Sequence, residues 1–239
     1  MNAELRFLLL QVRRPNDPMR FHEVECFARE LGCSVERIKV LDLITGVPSP
    51  RDLAQADVVL LGGSGDYSAV GESDWLHRAL DAMRGLHDTK KPTFASCWGF
   101  QAMARAMGGR VIHDPSNAEL GSYELTLTPA GQEDPVFGPL ESTFVGQVGH
   151  EDHVVELPET ATLLATSERH LHAYRLDDAP IYCTQFHPEL DLDGLVSRLR
   201  AYPRYVEMAT GKSLETFTAG LVADPRTPQI LRRFVEHSL

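Results

Sequence analysis

The residues best suited to chemistry surround a single cysteine, Cys97, in the stretch 92–101 (PTFASCWGFQ). An apolar strand pattern breaks there into a helical pattern, and Gly99 follows the cysteine two residues on. A sharp strand-to-helix turn lifts one side chain clear of the sheet, as in a nucleophile elbow. The N–H groups and positive dipole end of the following helix favour thiolate over thiol. The pattern predicts Cys97 as a nucleophile, and a buried structural cysteine is the alternative.

A second chemical group, His187-Pro188-Glu189, follows a strand-like run late in the chain. Pro188 biases His187 toward extended backbone, in which residues two apart project to the same side. Glu189 can then hold the imidazole in the tautomer that a general base requires, as the acid of a triad does. We predict His187 as the base and later the acid for the leaving amine. A surface His-Pro-Glu turn is the alternative.

The glycine-rich run 62–66 (GGSGD) follows another apolar strand pattern. Without a Cβ, glycine lets backbone N–H groups approach a developing oxyanion closely. We assign the oxyanion hole to the backbone amides of Gly63 and Trp98. A phosphate-binding loop is excluded because the Lys-Ser/Thr ending is absent. A plain turn is the alternative.

The run 149–153 (GHEDH) combines two histidines with two carboxylates, which are common metal ligands. Its histidines are only three residues apart, so it is not the HExxH pattern of zinc proteases. We predict no metal site and favour a substrate-binding loop after a strand. A solvated polar loop is the alternative. A metal at Cys97 and His187 is disfavoured, since no third ligand is evident there.

The elements that must position these residues alternate between strand and helix in the first half. Strands are predicted at 7–12, 35–41, 58–61 and 93–96, and helices at 21–31, 74–86 and 98–107. Short apolar strands separated by helices predict a parallel sheet covered on both faces. Gly62-Gly63 and Cys97 both follow such strands, at the carboxyl ends where sites form in these folds.

The second half is richer in strand patterns, predicted at 123–127, 143–148, 162–167, 172–176 and 181–185. Turn formers such as Pro129-Ala130-Gly131 separate them. This half therefore predicts antiparallel additions to the same sheet. The helical pattern returns after Asp191, with an amphipathic segment at 229–236. We expect an α/β fold with one domain over 1–200 and a helical extension of that domain over 201–239.

Composition narrows the class of protein. A net charge of −11 over 239 residues argues against a nucleic acid partner, because phosphate binding needs a basic surface. Residues 1–7 lack the pattern of a signal peptide, and no apolar run is long enough for a membrane span. Scattered cysteines without CxxC spacing indicate reduced thiols and a cytoplasmic protein, with Cys26 and Cys183 as small core residues. We expect no membrane partner and no cofactor.

Taken together, these motifs resemble those of class I glutamine amidotransferases, whose nucleophile motif is Cys-x-Gly-x-Gln and whose base motif is His-Pro-Glu. Here they read 97–101 (CWGFQ) and 187–189 (HPE), while the stretch 150–152 resembles the His-x-Asp loop of the branch that includes the glutaminase half of GMP synthase. The resemblance covers about residues 5–200. One departure is Ala95, where the family commonly has glycine.

The resemblance implies a flavodoxin-like fold with a central, mostly parallel sheet flanked by helices. It also implies a thioester between Cys97 and the γ-carbonyl of a glutamyl group. Finally, it implies substrate contacts from Gln101 and from the backbone near Gly149, Glu151 and Asp152.

Three functions fit these expectations. The first is a glutamine amidotransferase that releases ammonia for a separate acceptor or synthetase subunit, since about forty residues beyond Ala201 are too few for an attached one. The second is a free-standing γ-glutamyl peptidase or γ-glutamyl amide hydrolase, which cleaves the same type of bond. The third is a non-catalytic regulatory domain. It is disfavoured because Cys97, His187 and Glu189 are all present.

Overall fold

The computed structural model describes residues 4–239. Residues 1–3 belong to the N-terminal segment in which no signal peptide is predicted, and they lie outside the described residues. Eleven strands are formed in this part of the chain: β1 (Phe7–Val12), β2 (Ile38–Asp42), β3 (Val58–Ser64), β4 (Thr93–Ser96), β5 (Arg110–His113), β6 (Glu119–Leu127), β7 (Thr143–His150), β8 (Asp152–Glu156), β9 (Ala161–Thr166), β10 (Leu171–Leu176) and β11 (Ile181–Thr184). The α-helices of the same residues are α1 (Met19–Leu31), α2 (Pro50–Gln55), α3 (Asp74–Asp88), α4 (Trp98–Ala106), α5 (Pro129–Glu133), α6 (Leu192–Ala201), α7 (Pro203–Thr210), α8 (Leu214–Thr218) and α9 (Gln229–Ser238).

Nine strands form one sheet in the order β2-β1-β3-β4-β11-β10-β9-β6-β7, and β5 pairs with β8 in a separate two-stranded sheet. The pairings from β2 through β11 are parallel, whereas those from β11 through β7 are antiparallel. The expected α/β class, with a mostly parallel centre and antiparallel additions in the second half, is confirmed.

The sheet separates two hydrophobic cores, and strand β1 contributes to both. Phe7 and Leu9 belong to the core under α1 and α9. Leu8 and Leu10 belong to the core under α3 and α4. Successive side chains of a strand point to opposite faces, so a strand covered on both sides is apolar throughout. This explains why β1 has a continuous apolar pattern.

Several predicted elements differ from those observed. The strand predicted at 35–41 begins with a short 3-10 turn (Val35–Arg37) before β2. The strand predicted to end at residue 61 continues to Ser64, because Ser64 still pairs with Val12 of β1. The turn predicted at Pro129-Ala130-Gly131 is the first part of α5, because the Thr128 hydroxyl accepts from the Gly131 N–H and caps that helix.

Elements α2, β5 and β8 have no counterpart among the predicted ones. At the C-terminal end, α9 packs into the core of α1, and the Phe234 ring lies 5.3 Å from that of Phe94 in β4. The division of one domain at residue 200 stays a prediction. Among residues 4–239, no helix combines the length and apolarity that crossing a membrane requires.

Candidate active site

Cys97 occupies the single-residue break between β4 and α4. Its backbone has φ 52° and ψ −104°, and its N–H donates to the carbonyl of Thr184, at 2.7 Å, in the neighbouring strand β11. A non-glycine residue with positive φ is strained, and such strain clusters at functional sites. The residue is only 6% exposed, but its side chain lines a cavity, with Sγ 3.8 Å from the carbonyl oxygen of Gly149. The thiol therefore sits at a helix N-terminus and faces a space that a ligand can enter.

His187 and Glu189 lie beside this break because β11 pairs in parallel with β4, with Thr184 opposite Ser96. The chain leaves both strands at the same edge of the sheet. Nδ1 of His187 lies 2.6 Å from Oε1 of Glu189, and both side chains are buried. The backbone N–H of His187 also donates to the carbonyl of Gln147, at 2.8 Å. The structure thus brings together the predicted nucleophile, base and orienting acid.

The charges around His187 favour its protonated form. Burial alone lowers the pKa of His187, but the Glu189 carboxylate and the Cys97 sulfur outweigh burial and raise this pKa to about 9. Burial likewise raises the pKa of Glu189, but the His187 and Arg198 cations outweigh it and hold that pKa below its usual range. At pH 7 the pair is therefore an imidazolium and a carboxylate.

Arg198 of α6 is a neighbour of this pair that the sequence patterns did not reveal. Its Nη1 lies 3.3 Å from Nδ1 of His187 and 3.9 Å from Oε1 of Glu189. Its positive charge opposes protonation of His187 and so lowers the pKa that Glu189 raises. Arg198 also lines the cavity.

The glycines at the end of β3 allow the close approach that the site requires. A Cβ added to Gly63 would lie 2.9 Å from Cε1 of His187 and 3.6 Å from Sγ of Cys97. No side chain fits there without displacing the imidazole. A Cβ on Gly62 would overlap the carboxylate of Glu23, which α1 places under the strand in an ion pair with Arg13. The backbone of β3 is therefore held directly against Cys97 and His187.

The segment 149–153, predicted as a loop, is a one-residue turn between two strands that belong to different sheets. Gly149 and His150 still pair with β6, and Asp152 already pairs with His113 of β5, so only Glu151 remains between the strands. The loop prediction was wrong because these strands continue further than their apolar pattern.

The four predicted substrate-contact residues Gln101, Gly149, Glu151 and Asp152 all line the cavity. Nε2 of Gln101 donates to the carbonyl of Asp152, at 2.9 Å. The carboxylate of Asp152 accepts from the N–H of Ala69, at 3.0 Å, and lies 2.8 Å from Nδ1 of His113. These two side chains fix the turn between β7 and β8 to its neighbours, while their substrate contacts stay predictions.

The cavity has a volume of about 400 Å³ and a mixed lining. Cys97, Trp98 and His187 are part of the lining. Helices α6 and α7 and the residue between them add the side chains of Leu195, Leu199, Tyr202 and Tyr205. Pockets of roughly 300–1,000 Å³ suit small-molecule ligands.

One group within residues 4–239 has the side-chain types and proximity of a metal centre. One ligand atom from each of Glu119, His150 and His172 lies within 4.8 Å of the others, and all three residues are buried. In this group the second histidine is His172, and not His153, which lies three residues after His150 in the sequence. Burial, together with the neighbouring imidazoles, outweighs Glu119 and lowers the pKa of His150 to about 4.

Comparison with known proteins supplies the family. The family model described as "Glutamine amidotransferase class-I" matches residues 23–194. The chain belongs to this family. The class I resemblance inferred from the motifs is therefore confirmed, and the matched residues contain Cys97, His187 and Glu189.

Relatives of this class I chain include gamma-glutamyl peptidases and subunits of GMP synthase. Gamma-glutamyl peptidase 3 of Arabidopsis thaliana is 30% identical over 168 residues, covering 68% of this chain and 67% of the relative. One subunit of the glutamine-hydrolyzing GMP synthase of Sulfolobus acidocaldarius is 32% identical over 161 residues, covering 65% of this chain and 81% of the relative. The crystal structure of a glutamine amidotransferase from Thermotoga maritima superposes with a TM-score of 0.78 at 20% identity, covering 98% of this chain and 97% of that one. This last similarity supports the fold alone.

Proposed function

We propose that the protein is a cysteine hydrolase that converts glutamine and water to glutamate and ammonia through a γ-glutamyl thioester on Cys97. The observation that carries the proposal is the convergence of a strained Cys97, a buried His187–Glu189 pair and the side-chain-free face of Gly63 on one cavity. Membership of the class I glutamine amidotransferase family supports the same chemistry.

The first half-reaction uses the charges already described. The His187 imidazolium and the N-terminus of α4 favour the thiolate of Cys97, which attacks the γ-carbonyl carbon. As the C–N bond breaks, His187 gives its proton to the leaving nitrogen. A His187 pKa of about 9 keeps that proton available at neutral pH. Glu189 stabilises the imidazolium and fixes its orientation.

The second half-reaction hydrolyses the thioester. Neutral His187 takes a proton from a water molecule, whose oxygen attacks the acyl carbon, and the thiolate leaves. In both halves the negative oxygen of the tetrahedral intermediate needs backbone donors. We assign these to the amides of Gly63 and Trp98, which flank Cys97 from β3 and from the first turn of α4.

We assign substrate orientation to the turn between β7 and β8. We propose that the backbone near Gly149, Glu151 and Asp152 binds the α-amino and carboxylate groups of the glutamyl moiety. Gln101 supports this arrangement, since its side-chain amide is bonded to the carbonyl of Asp152. A separate synthetase subunit that accepts the ammonia fits this activity, by analogy with the relative that is named as one subunit of GMP synthase.

The shape of the cavity favours a second candidate, a γ-glutamyl peptidase. Leu195, Leu199, Tyr202 and Tyr205 give an apolar and aromatic lining to the same cavity that Cys97 lines. Ammonia needs no such lining, whereas an amino-acid leaving group would pack against it. The relative named gamma-glutamyl peptidase 3 points the same way.

One assay tests both candidates. Purified protein is given L-glutamine or γ-glutamyl dipeptides, and glutamate, ammonia and the released amino acid are measured separately, with Cys97→Ala protein as the control. Turnover restricted to glutamine supports the amidotransferase-type glutaminase, whether a supplied synthetase subunit is required or not. A kcat/KM for a dipeptide at least tenfold above that for glutamine supports the peptidase. Absence of thiol-dependent turnover on either substrate, with or without such a subunit, contradicts the proposal.

A further inference from the structure

A buried group of three side chains lies next to Gly149, at the end of β7. Glu119 begins β6 and pairs with His150 at the end of β7, while His172 comes from β10. Oε2 of Glu119 lies 2.8 Å from Nε2 of His172 and 3.1 Å from Nε2 of His150. These three side chains are at most 3% exposed. Two imidazole nitrogens thus converge on one carboxylate oxygen, away from bulk water.

The hydrogen bond on the far side of His150 fixes one proton of that ring. Its Nδ1 lies 3.1 Å from the carbonyl oxygen of Asp152, which can only accept, so Nδ1 carries the hydrogen. A neutral ring then directs the Nε2 lone pair at the lone pairs of Glu119. The point between Nε2 and Oε2 therefore attracts a positive charge, supplied either by a second proton or by a metal ion.

The same pattern is the usual support of a metal-bound histidine. Ligating imidazoles generally donate their other N–H to a carboxylate or a backbone carbonyl, as His150 does to Asp152. The second oxygen of Glu119 is also held, because Oε1 accepts from the hydroxyl of Ser167, at 2.9 Å. Ligand and supporting groups are therefore already oriented.

We infer that Glu119, His150 and His172 form a binding site for a divalent transition metal, with Zn²⁺ as the best-fitting ion. Two imidazoles and one carboxylate are a common zinc ligand set. With metal–ligand bonds of about 2.1 Å, tetrahedral geometry separates ligand atoms by roughly 3.4 Å. The observed separations of 2.8 Å and 3.1 Å need only a small opening.

One feature sets the expected strength of the site. Zinc on Nε2 of His172 moves the proton of that ring to Nδ1, which is buried without a hydrogen-bond partner among the described residues. Second-shell partners typically contribute about 10–100-fold to metal affinity. We therefore expect binding weaker by about that factor than at a site with both histidines supported.

A metal bound here would link strands β6, β7 and β10. It would affect the proposed catalytic centre only by fixing the position of the backbone beside it. His150 directly follows Gly149, whose carbonyl lies 3.8 Å from Sγ of Cys97. An ion would hold the end of β7 against β6 and β10. Its role is structural, and the inference does not rest on the proposed hydrolase activity.

The test uses full-length protein carrying Cys97→Ala, so that the cavity thiol cannot bind zinc itself. Protein stripped with EDTA is titrated with Zn²⁺, and bound metal per chain and thermal unfolding are measured. We expect one ion per chain and a rise in Tm with Zn²⁺. Adding His172→Gln lowers the affinity at least tenfold. Adding His170→Gln, a matched change in a neighbouring ring outside the group, leaves the affinity unchanged.

Cobalt provides a measurement that needs no ligand variant. Co²⁺ bound in the stripped protein by two imidazoles, a carboxylate and one water molecule gives strong visible bands typical of four-coordinate geometry, and Zn²⁺ abolishes them. The inference is overturned by the absence of stoichiometric binding, by binding that His172→Gln leaves intact, or by NMR spectra in which the ring ¹⁵N resonances of His150 do not change when Zn²⁺ is added.

Discussion

Replacing Glu189 by glutamine tests whether the buried carboxylate sets the protonation of His187. The pKa of His187 is about 9 against an ordinary value of 6.5, which corresponds to about 3 kcal/mol in favour of the imidazolium. Burial and Arg198 both oppose that form, and Glu189 is the largest contribution in its favour. Without the carboxylate charge, we expect the pKa of His187 to return to 6.5 or below.

The sign of the effect on activity follows from the role proposed for His187. The proton needed by the leaving amine is present below the pKa of His187 and lost as the pH rises through it. In the wild type, kcat/KM should therefore decline above about pH 9. In Glu189→Gln protein the decline should begin near pH 6.5, which predicts a loss of about thirtyfold at pH 8 and a much smaller one at pH 5.5.

The measurement is a profile of kcat/KM against pH with the better of glutamine and a γ-glutamyl dipeptide. Glu133→Gln, an exposed carboxylate change, is the matched control, and thermal unfolding of each variant checks the fold. An alkaline decline that stays near pH 9 in Glu189→Gln protein would refute the assignment of Glu189. A loss as deep as that of Cys97→Ala at every pH would show that Glu189 does more than tune and orient the imidazole.

Three further predictions concern the residues of the same centre and the residues that pack against it. Cys97→Ala should reduce turnover to background with little change in Tm, and His187→Ala should lower kcat by roughly 10²–10⁴-fold; substantial turnover in the cysteine variant would end the thiolate proposal. Arg198→Met removes a charge that lowers the pKa of His187, so the alkaline decline of kcat/KM should move above pH 9, opposite to the effect of Glu189→Gln. A decline that moves to lower pH in this variant would contradict the role of Arg198. Gly63→Ala places a methyl group 2.9 Å from the His187 ring and should abolish activity at nearly unchanged Tm. Gly99→Ala places a methyl group 2.6 Å from Cβ of Leu61 and should lower the free energy of unfolding by about 1–3 kcal/mol. Equal Tm values for the two variants would argue against the packing described.

The predictability of the fold varied with how fully each element is buried. The bounds of β1 and β4 could be predicted because both strands are buried on both faces, so each is a compact buried run closed by turn or polar residues. The pair β5 and β8 was missed because Arg110–His113 is short and partly exposed and has no marked periodicity. Helix α2 has only six residues, but its Ser49–Asp52 capping box is a sequence signal that could have revealed it.

The candidate site shows the same contrast between local and distant information. The spacing of His187 and Glu189 is local, so their side-by-side placement could be predicted from two residues and a proline. Arg198 lies three residues after Leu195 and next to Leu199, on the apolar face of α6, and this spacing is a sequence signal that could have revealed it. The approach of His172 to Glu119 depends on strand order across the sheet, which no local pattern encodes.

The backbone of Cys97 implies that this position works against the stability of the native state. A side chain held at φ 52° and ψ −104° carries a conformational penalty of about 1–3 kcal/mol, which glycine would largely avoid. Cys97→Gly protein, although inactive, should therefore have a higher Tm than Cys97→Ala protein. Position 97 therefore lowers the stability of the native state in exchange for a thiol at the N-terminus of α4.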